Sequence, residues 1–373
     1  MRPQLAAERA VRAYAAMRRQ FARRDGLYRR DGRLRPPGVA AHLWPTARAF
    51  AGAVDLLGVR RALLGAFDPG PAVAWHVKAL ERYWDARGPR PAYASDVIGS
   101  HFGGDRYYDD NAWVGLALVQ LERLDPGRGH RDRAAELFDF AVSGWDTRSE
   151  APSPGGVFWV EQGKGVGARN HDRNTVSNAP NAELGLHLAE LVPGLTEGGR
   201  WARDMYGWVN ATLDAGRDAG EPATGLFWDK VRGDASIDHQ TWSYNQGTMI
   251  GANALLARAA TDGEDAPYLA RAEAIARKAL RHYAGEYHRQ PAAFNAILFR
   301  NLLLLWAATT DARLREQIHT AISGYADAAW TAGRDRRDRF RLSGGQPTLL
   351  DQSAMVQVYA LLAWDPADYR ALA

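Results

Sequence analysis

The sequence predicts an all-α protein, a toroid of six helical hairpins with a cleft at the loop-bearing end, on three observations. Apolar residues recur at i, i+3, i+4 and i+7 in twelve separate segments. Convincing strands are almost absent, and the connections alternate between short and long.

Taken in order, the first segment, 5–24, places Ala7, Val11, Tyr14, Met17 and Phe21 at helical spacing among arginines. It has no apolar central region, so it is an amphipathic helix and not a signal peptide. Helical periodicity then marks 44–57, 71–86, 109–123, 130–145 and 176–192 in the first half. The second half adds 197–215, 243–261, 264–284, 292–308, 311–330 and 349–363. Several are rich in Ala, Leu and Gly with few charges, as suits helices buried on more than one side. Strand-like pieces are limited to Gly156-Val157-Phe158-Trp159-Val160 and Leu226-Phe227-Trp228. The irregular period argues against a solenoid, and no break in composition marks a second domain, so 1–373 is read as one domain. The long connections, 87–108, 146–175 and 216–242, concentrate Trp, Tyr, Asp and Asn. They are too aromatic for disorder, which places the function there.

Composition excludes several classes. The 47 Lys and Arg are balanced by 43 Asp and Glu and interspersed with them, so no basic stripe for nucleic acid exists. The cluster Arg334 to Arg341 contains two Asp and reads as a solvated loop. With no cysteine, thiolate nucleophiles, disulfides and Cys-based zinc sites are ruled out. Apolar runs such as Leu302 to Ala308 fall far short of the ~20 residues of a membrane span, so no membrane insertion is expected. The expected compartment is the cytoplasm, or outside the cell if a leader was removed. The His171-Asp172 pair lacks partners at ligand spacing, and Gly163-Lys164-Gly165-Val166-Gly167 has no βαβ context. No metal and no cofactor are therefore expected.

Chemistry is concentrated in Tyr107-Tyr108-Asp109-Asp110-Asn111-Ala112-Trp113, two adjacent carboxylates at the start of an apolar helical run. Acids at a helix start also serve as caps against the positive end of the dipole. Here the flanking aromatics favour a site, because rings such as Trp113 can cover the apolar C–H faces of a pyranose. On a helix the two side chains diverge by about 100° from Cα atoms about 3.8 Å apart, which puts the carboxyl groups roughly 5 Å from each other. That matches the separation of about 5–5.5 Å in retaining glycosidases, against roughly 6.5–9.5 Å in inverting ones. Mutual repulsion raises one pKa and supplies the protonated acid the first step needs.

Three further helix starts carry more amides, hydroxyls and rings than capping demands. They are Asn174-Thr175-Val176-Ser177-Asn178-Ala179-Pro180-Asn181, Thr241-Trp242-Ser243-Tyr244-Asn245-Gln246-Gly247 and Asp351-Gln352-Ser353. Together with Trp159 they read as the lining of one polar cleft. Among the tryptophans, Trp44, Trp113, Trp159, Trp228 and Trp242 lie at loops and are candidate sugar platforms, while Trp75, Trp145, Trp201, Trp208 and Trp306 are expected in the core.

With these stretches assembled, the chain resembles glycoside hydrolase family 76, whose characterised members hydrolyse α-1,6-linked mannans. The resemblance rests on Tyr107 to Trp113, Gly156 to Trp159, Asn174 to Ala179, Tyr244-Asn245-Gln246-Gly247-Thr248 and Asp351-Gln352-Ser353-Ala354, in family order over about two-thirds of the chain. It implies an (α/α)6 toroid and a retaining mechanism, with Asp109 as nucleophile and Asp110 as general acid/base. Tyr108, Asn111, Trp113, Trp159, Asn174, Asn178, Trp242, Tyr244, Asn245, Gln246 and Gln352 become the expected substrate contacts. The expected partner is an α-linked mannan or manno-oligosaccharide bound by a monomer. The starts at Leu43 to Arg48 and His101 to Arg106 depart from secreted members, which marks a divergent one. Other readings are a different α/α-toroid activity, such as an unsaturated uronyl hydrolase or a sugar 2-epimerase, or a non-catalytic carbohydrate-binding protein. An epimerase needs paired histidines facing the cleft, and the ten here are scattered.

Overall fold

The computed structural model describes residues 1–30, 39–87, 89–100, 104–151, 153–161, 171–192, 196–216, 225–260, 266–342 and 344–373. The His101 to Gly103 lead-in and the Gly163 to Gly167 loop lie outside them. Among the described residues the twelve expected helices are all present. They are α1 (Pro3–Phe21), α2 (Leu43–Leu57), α3 (Pro69–Leu80), α4 (Tyr108–Leu124), α5 (His130–Ser143) and α6 (Thr175–Leu191), followed by α7 (Thr196–Thr212), α8 (Ser243–Ala259), α9 (Ala266–His282), α10 (Ala292–Ala308), α11 (Ala312–Ala332) and α12 (Leu349–Ala363).

Burial sorts the helices into two rings. The even-numbered ones are buried nearly all round: every residue of α12 except Leu350 is inside, and so is every residue of α6 from Thr175 to Leu188. The odd-numbered ones bury a single stripe, such as Ala272, Ile275, Ala276 and Ala279 of α9. Contacts run α2 to α4 to α6 to α8 to α10 to α12 and back to α2, a closed inner ring, with α1 packed on α12 across the join between chain ends. An outer helix always leads into an inner one through a connection on the same end, so all six inner N-termini point to the face that carries the long loops. Their positive dipole ends converge there, a setting that favours anionic groups.

Short connections at that face place the site. Strands β1 (Trp84–Asp85) and β2 (Ala92–Tyr93) pair antiparallel, Trp84 opposite Tyr93. A second small sheet orders β3 (Arg173–Asn174), β4 (Lys230–Val231) and β5 (Ile237–Asp238), all antiparallel, with Asn174 opposite Lys230. The strand-like pieces seen in the sequence form isolated bridges: Val157 to Trp145, Phe158 to Arg173, Val160 to Tyr107 and Phe227 to Asp214. Each is a single bridge that does not propagate into a ladder. The expected helix at 71–86 stops at Leu80 and gives way to a 3-10 turn, Glu81–Tyr83, and then to β1.

The axis of the ring is plugged by polar side chains. Arg300 of α10 holds both carboxylate oxygens of Asp55 (2.6 and 2.5 Å) and donates to Gln120 Oε1 (2.6 Å), and Gln120 returns a bond to Asp55 (2.7 Å). Arg48 donates to Gln357 in the same layer. Gly251 of α8 faces Glu183 and Asn301, where a Cβ would come within 2.0 Å of an oxygen of each, so three helices can meet there only on a glycine. No described helix is long and apolar enough to cross a membrane.

Candidate active site

Asp109 and Asp110 occupy the first turn of α4, both half-buried at the loop-bearing end. The Gly156 to Val160 segment is threaded beside this turn. Tyr108 N–H donates to the Trp159 carbonyl (3.1 Å), Trp159 N–H donates to the Asp172 carbonyl (2.9 Å), and Gly144 O accepts from Phe158 (2.9 Å). The turn into it needs Gly156 at φ +80°, where the Trp208 ring fills the space a Cβ would take. So fixed, the Trp159 indole N–H donates to Asp109 Oδ2 at 3.1 Å. The ring edges onto Tyr107 (5.2 Å), and the Lys230 ammonium stands 5.7 Å from its centre.

Both acids are shifted toward the protonated form. Burial pushes Asp109 up to about 7; the Trp159 hydrogen bond opposes this shift and the charge of Asp229 adds to it. Burial raises Asp110 well above the carboxylate range, and the charge of Asp109 adds to that. No side chain among the described residues donates to Asp110, so of the two it is the one that keeps its proton. Asp109 Oδ1 is enclosed without a partner.

Asp229 was not among the expected site residues. It lies at the entry to β4, its carbonyl bound by Thr175 N–H (2.8 Å) and its own N–H bound to the Asp238 carbonyl (3.0 Å), which sets it against the start of α6. It is buried, and burial lifts its carboxyl to about 6, countered by Lys230. Its Oδ1 and both polar atoms of the completely buried Asn245 make no hydrogen bond of good geometry, although the Asn245 amide stands near enough to lower the Asp229 carboxyl. Asp229 and Asp109 together hold the Tyr244 hydroxyl far above its ordinary range, after burial itself. The Tyr244 ring is fixed by stacking on Phe294 at 3.9 Å. The sequence signal that could have found Asp229 is its place in Trp228-Asp229-Lys230, directly after a recognised aromatic piece.

The expected contacts thus divide. Trp159, Tyr244 and Asn245 gather around the acid pair. Asn174 lies on β3 opposite Lys230 and caps α6 in a reciprocal box with Ser177, its N–H held by Ser177 Oγ (3.1 Å). Trp242 is half-buried against Phe294 (5.5 Å). Asn111, Asn178, Gln246 and Gln352 do something else. Each is the fourth residue of its inner helix, each is completely buried, and each grips a loop backbone through both ends of its amide. Asn111 accepts from Tyr93 N–H (2.8 Å) and donates to its carbonyl (3.0 Å), and Asn178 does the same to Val157 (2.7 and 3.2 Å). Gln246 clamps Phe227 (2.7 and 3.0 Å), while Gln352 accepts from Phe340 N–H (3.0 Å) and donates to the Ala13 carbonyl (2.9 Å). Their hydrogen-bonding groups are occupied by protein, so they shape the cleft and do not face a sugar. Tyr108 is likewise buried, stacked on Phe140 at 4.5 Å, because the first turn of α4 points it outward to α5. Trp113 lies buried one turn below Asp109, against Trp44 (5.7 Å) and over Arg48 (5.5 Å). Of the tryptophans expected in the core only Trp208 is fully inside; Trp75, Trp145, Trp201 and Trp306 pack on it half-exposed.

The sequence profile described as glycosyl hydrolase family 76 matches residues 81–362, a span holding the acid pair and every one of these site residues. The chain belongs to glycosyl hydrolase family 76. Several solved structures share its fold. A family 76 mannosidase from Bacteroides thetaiotaomicron aligns with TM-score 0.78 at 21% identity, over 96% of this chain and 98% of that one. An α-1,6-mannanase from Salegentibacter, described as an inactive double Asp→Asn variant bound to α-1,6-mannotriose, aligns with TM-score 0.74 at 20% identity over 96% and 99%. Dfg5 from Chaetomium thermophilum, in complex with glucosamine, aligns with TM-score 0.70 at 17% identity over 98% and 90%. No curated protein sequence matches the chain.

Proposed function

We propose that this family 76 glycosidase is a retaining enzyme that cleaves α-1,6-mannosidic linkages, with 1–373 acting as one catalytic domain. The observation that carries the assignment is the unequal support of two adjacent acids: Asp109 holds the Trp159 N–H, and Asp110 has no side-chain donor among the described residues. Asp109, stabilised as an anion, attacks the anomeric carbon while Asp110 gives its proton to the departing oxygen. A glycosyl ester on Asp109 results. Asp110, now ionised, takes a proton from water as that water attacks the same carbon and releases Asp109. Raised pKa values suit this cycle, since the acid must be protonated near neutral pH and the nucleophile must shed its proton more readily than its neighbour.

Asp229 and Asn245 present unpartnered buried groups beside the reacting carbon, able to accept from and donate to sugar hydroxyls. The α-1,6-mannose preference is supported by the family and by the α-1,6-mannotriose bound to the Salegentibacter enzyme. The test is incubation with α-1,6-mannobiose and linear α-1,6-mannan, following the anomer first released by NMR. Retention with loss of turnover in both Asp109→Asn and Asp110→Asn supports the mechanism. An inverted product, or near wild-type turnover in either variant, overturns it.

A further inference from the structure

Asp172 holds two parts of the site at once. Its carbonyl accepts the Trp159 backbone N–H (2.9 Å), while its buried carboxylate takes the Lys230 ammonium at 3.0 Å and the Gly233 N–H at 3.3 Å. Lys230 sits in the middle strand of the small sheet, opposite Asn174 on β3 and Asp238 on β5. Its ammonium stands 5.7 Å from the centre of the Trp159 ring, whose indole N–H is the donor to Asp109. That is near the outer limit of about 6 Å for a cation–π contact, so the charge orients the ring more than it stabilises the fold. A cation over the ring also draws electron density from the indole, which makes its N–H a better donor.

Lys230 is also the chain neighbour of Asp229. Burial raises the Asp229 carboxyl, and the Lys230 charge is the largest influence opposing that rise. Asp238 and Asp172 add to the rise and Asn245 opposes it, while Asp109 and the Tyr244 hydroxyl complete the groups around the carboxyl. Of these groups only Lys230 is a cation. The nearby Arg232 is engaged by Asp238 at 2.7 Å. An ion pair withdrawn from water adds little to stability, because desolvation of the two charges cancels most of their attraction. What the Asp172–Lys230 pair provides is a positive charge held in one place, where it acts on both Trp159 and Asp229.

We propose that Lys230 is a positioning residue for the glycosidase: held by Asp172, its ammonium keeps the Trp159 N–H on Asp109 and supplies the charge against which Asp229 accepts from the sugar. The second role rests on the retaining mechanism proposed above; the first does not. Two NMR signals of the full chain report on Lys230 without substrate. They are the Trp159 indole N–H, assigned by its loss in Trp159→Phe, and the Asp229 carboxyl carbon, assigned by its loss in Asp229→Asn. In Lys230→Met, and equally in Lys230→Gln, the indole signal should move upfield as its bond to Asp109 weakens. The Asp229 carboxyl, at about 6 in the wild type, should titrate higher by roughly one pH unit. Lys230→Arg, which keeps the charge, should return both signals toward wild type. At pH 6 the carboxyl is then about one-tenth ionised in place of one-half, so KM for α-1,6-mannobiose should rise about fivefold and recover by about pH 8. An indole signal that stays in place overturns the first role, and an unmoved Asp229 titration overturns the second. If both stay and only the Tm falls, the pair is a structural staple. A KM that does not follow the Asp229 titration overturns its contact with the sugar. A wild type that leaves mannobiose intact overturns the proposed reaction, and the two signals still decide what Lys230 holds in place.

Discussion

Trp159 Nε1 donates to Asp109 Oδ2 at 3.1 Å, and through this one bond the two adjacent aspartates become chemically different. The bond stabilises the ionised form of Asp109, offsetting part of the rise that burial imposes. Trp159→Phe keeps the ring and removes the donor. The pKa of Asp109 then rises, so the acid limb of the kcat/KM profile should move to higher pH, by roughly one unit for a charge-assisted bond. An acid limb that stays in place would show that Asp109 is not the group whose ionisation the limb reports.

Asp229→Asn should move the same limb the other way. Its negative charge is among the causes that raise Asp109, and an amide removes it while keeping the shape. Turnover should fall as well, since in the proposed mechanism the buried, unpartnered Asp229 Oδ1 accepts from a sugar hydroxyl. The opposite signs of the two shifts, measured on one substrate and buffer series, separate electrostatic tuning of Asp109 from general damage to the site.

The fourth-position amides and Asn245 should fall into two classes of effect. Asn178→Leu leaves the Val157 N–H without its buried partner, a loss of about 1–3 kcal/mol visible as a lower Tm, while the Val157 carbonyl keeps the Ser177 hydroxyl (2.7 Å). Asn245→Leu removes no hydrogen bond that holds the chain together, so the Tm should stay within a few degrees while kcat/KM drops by at least tenfold. If Asn178→Leu instead melts like wild type and raises KM alone, the amide contacts substrate and not the loop.

How far the residues could be read in advance follows from the same amides. The helices were legible because each needs a buried face, and burial writes a period into the chain; the paired acids were legible because a core does not tolerate them without use. Asn111, Asn178, Gln246 and Gln352 carried an equally strong signal of polarity at helix starts, but polarity alone does not say whether an amide faces a sugar or a peptide bond. Their recurrence at the fourth residue of four inner helices is the clue, since a repeated position answers to a repeated structural need. Asp229 escaped for the opposite reason: it is a lone carboxylate in a connection, and only the crossing of β4 with the start of α6 brings it to Asp109.

Glu183 of α6 offers a pH test of the plugged axis. It is almost completely buried; burial raises its pKa well above the ordinary value, against an opposing pull from Arg300. Its Oε1 has no partner. Below the unfolded pKa of about 4.3 both states carry the proton, and the group contributes nothing to the pH dependence of folding. As pH rises past that value the unfolded chain ionises while the folded carboxyl does not, so stability falls by roughly 1.4 kcal/mol per pH unit until the folded pKa is reached. Glu183→Gln does not titrate. Its stability relative to wild type should therefore be near zero at pH 4 and increasingly favourable toward pH 7, measured as urea midpoints across that range. A Gln variant that is less stable than wild type, and more so at pH 7 than at pH 4, would mean that Glu183 is ionised and paired with Arg300.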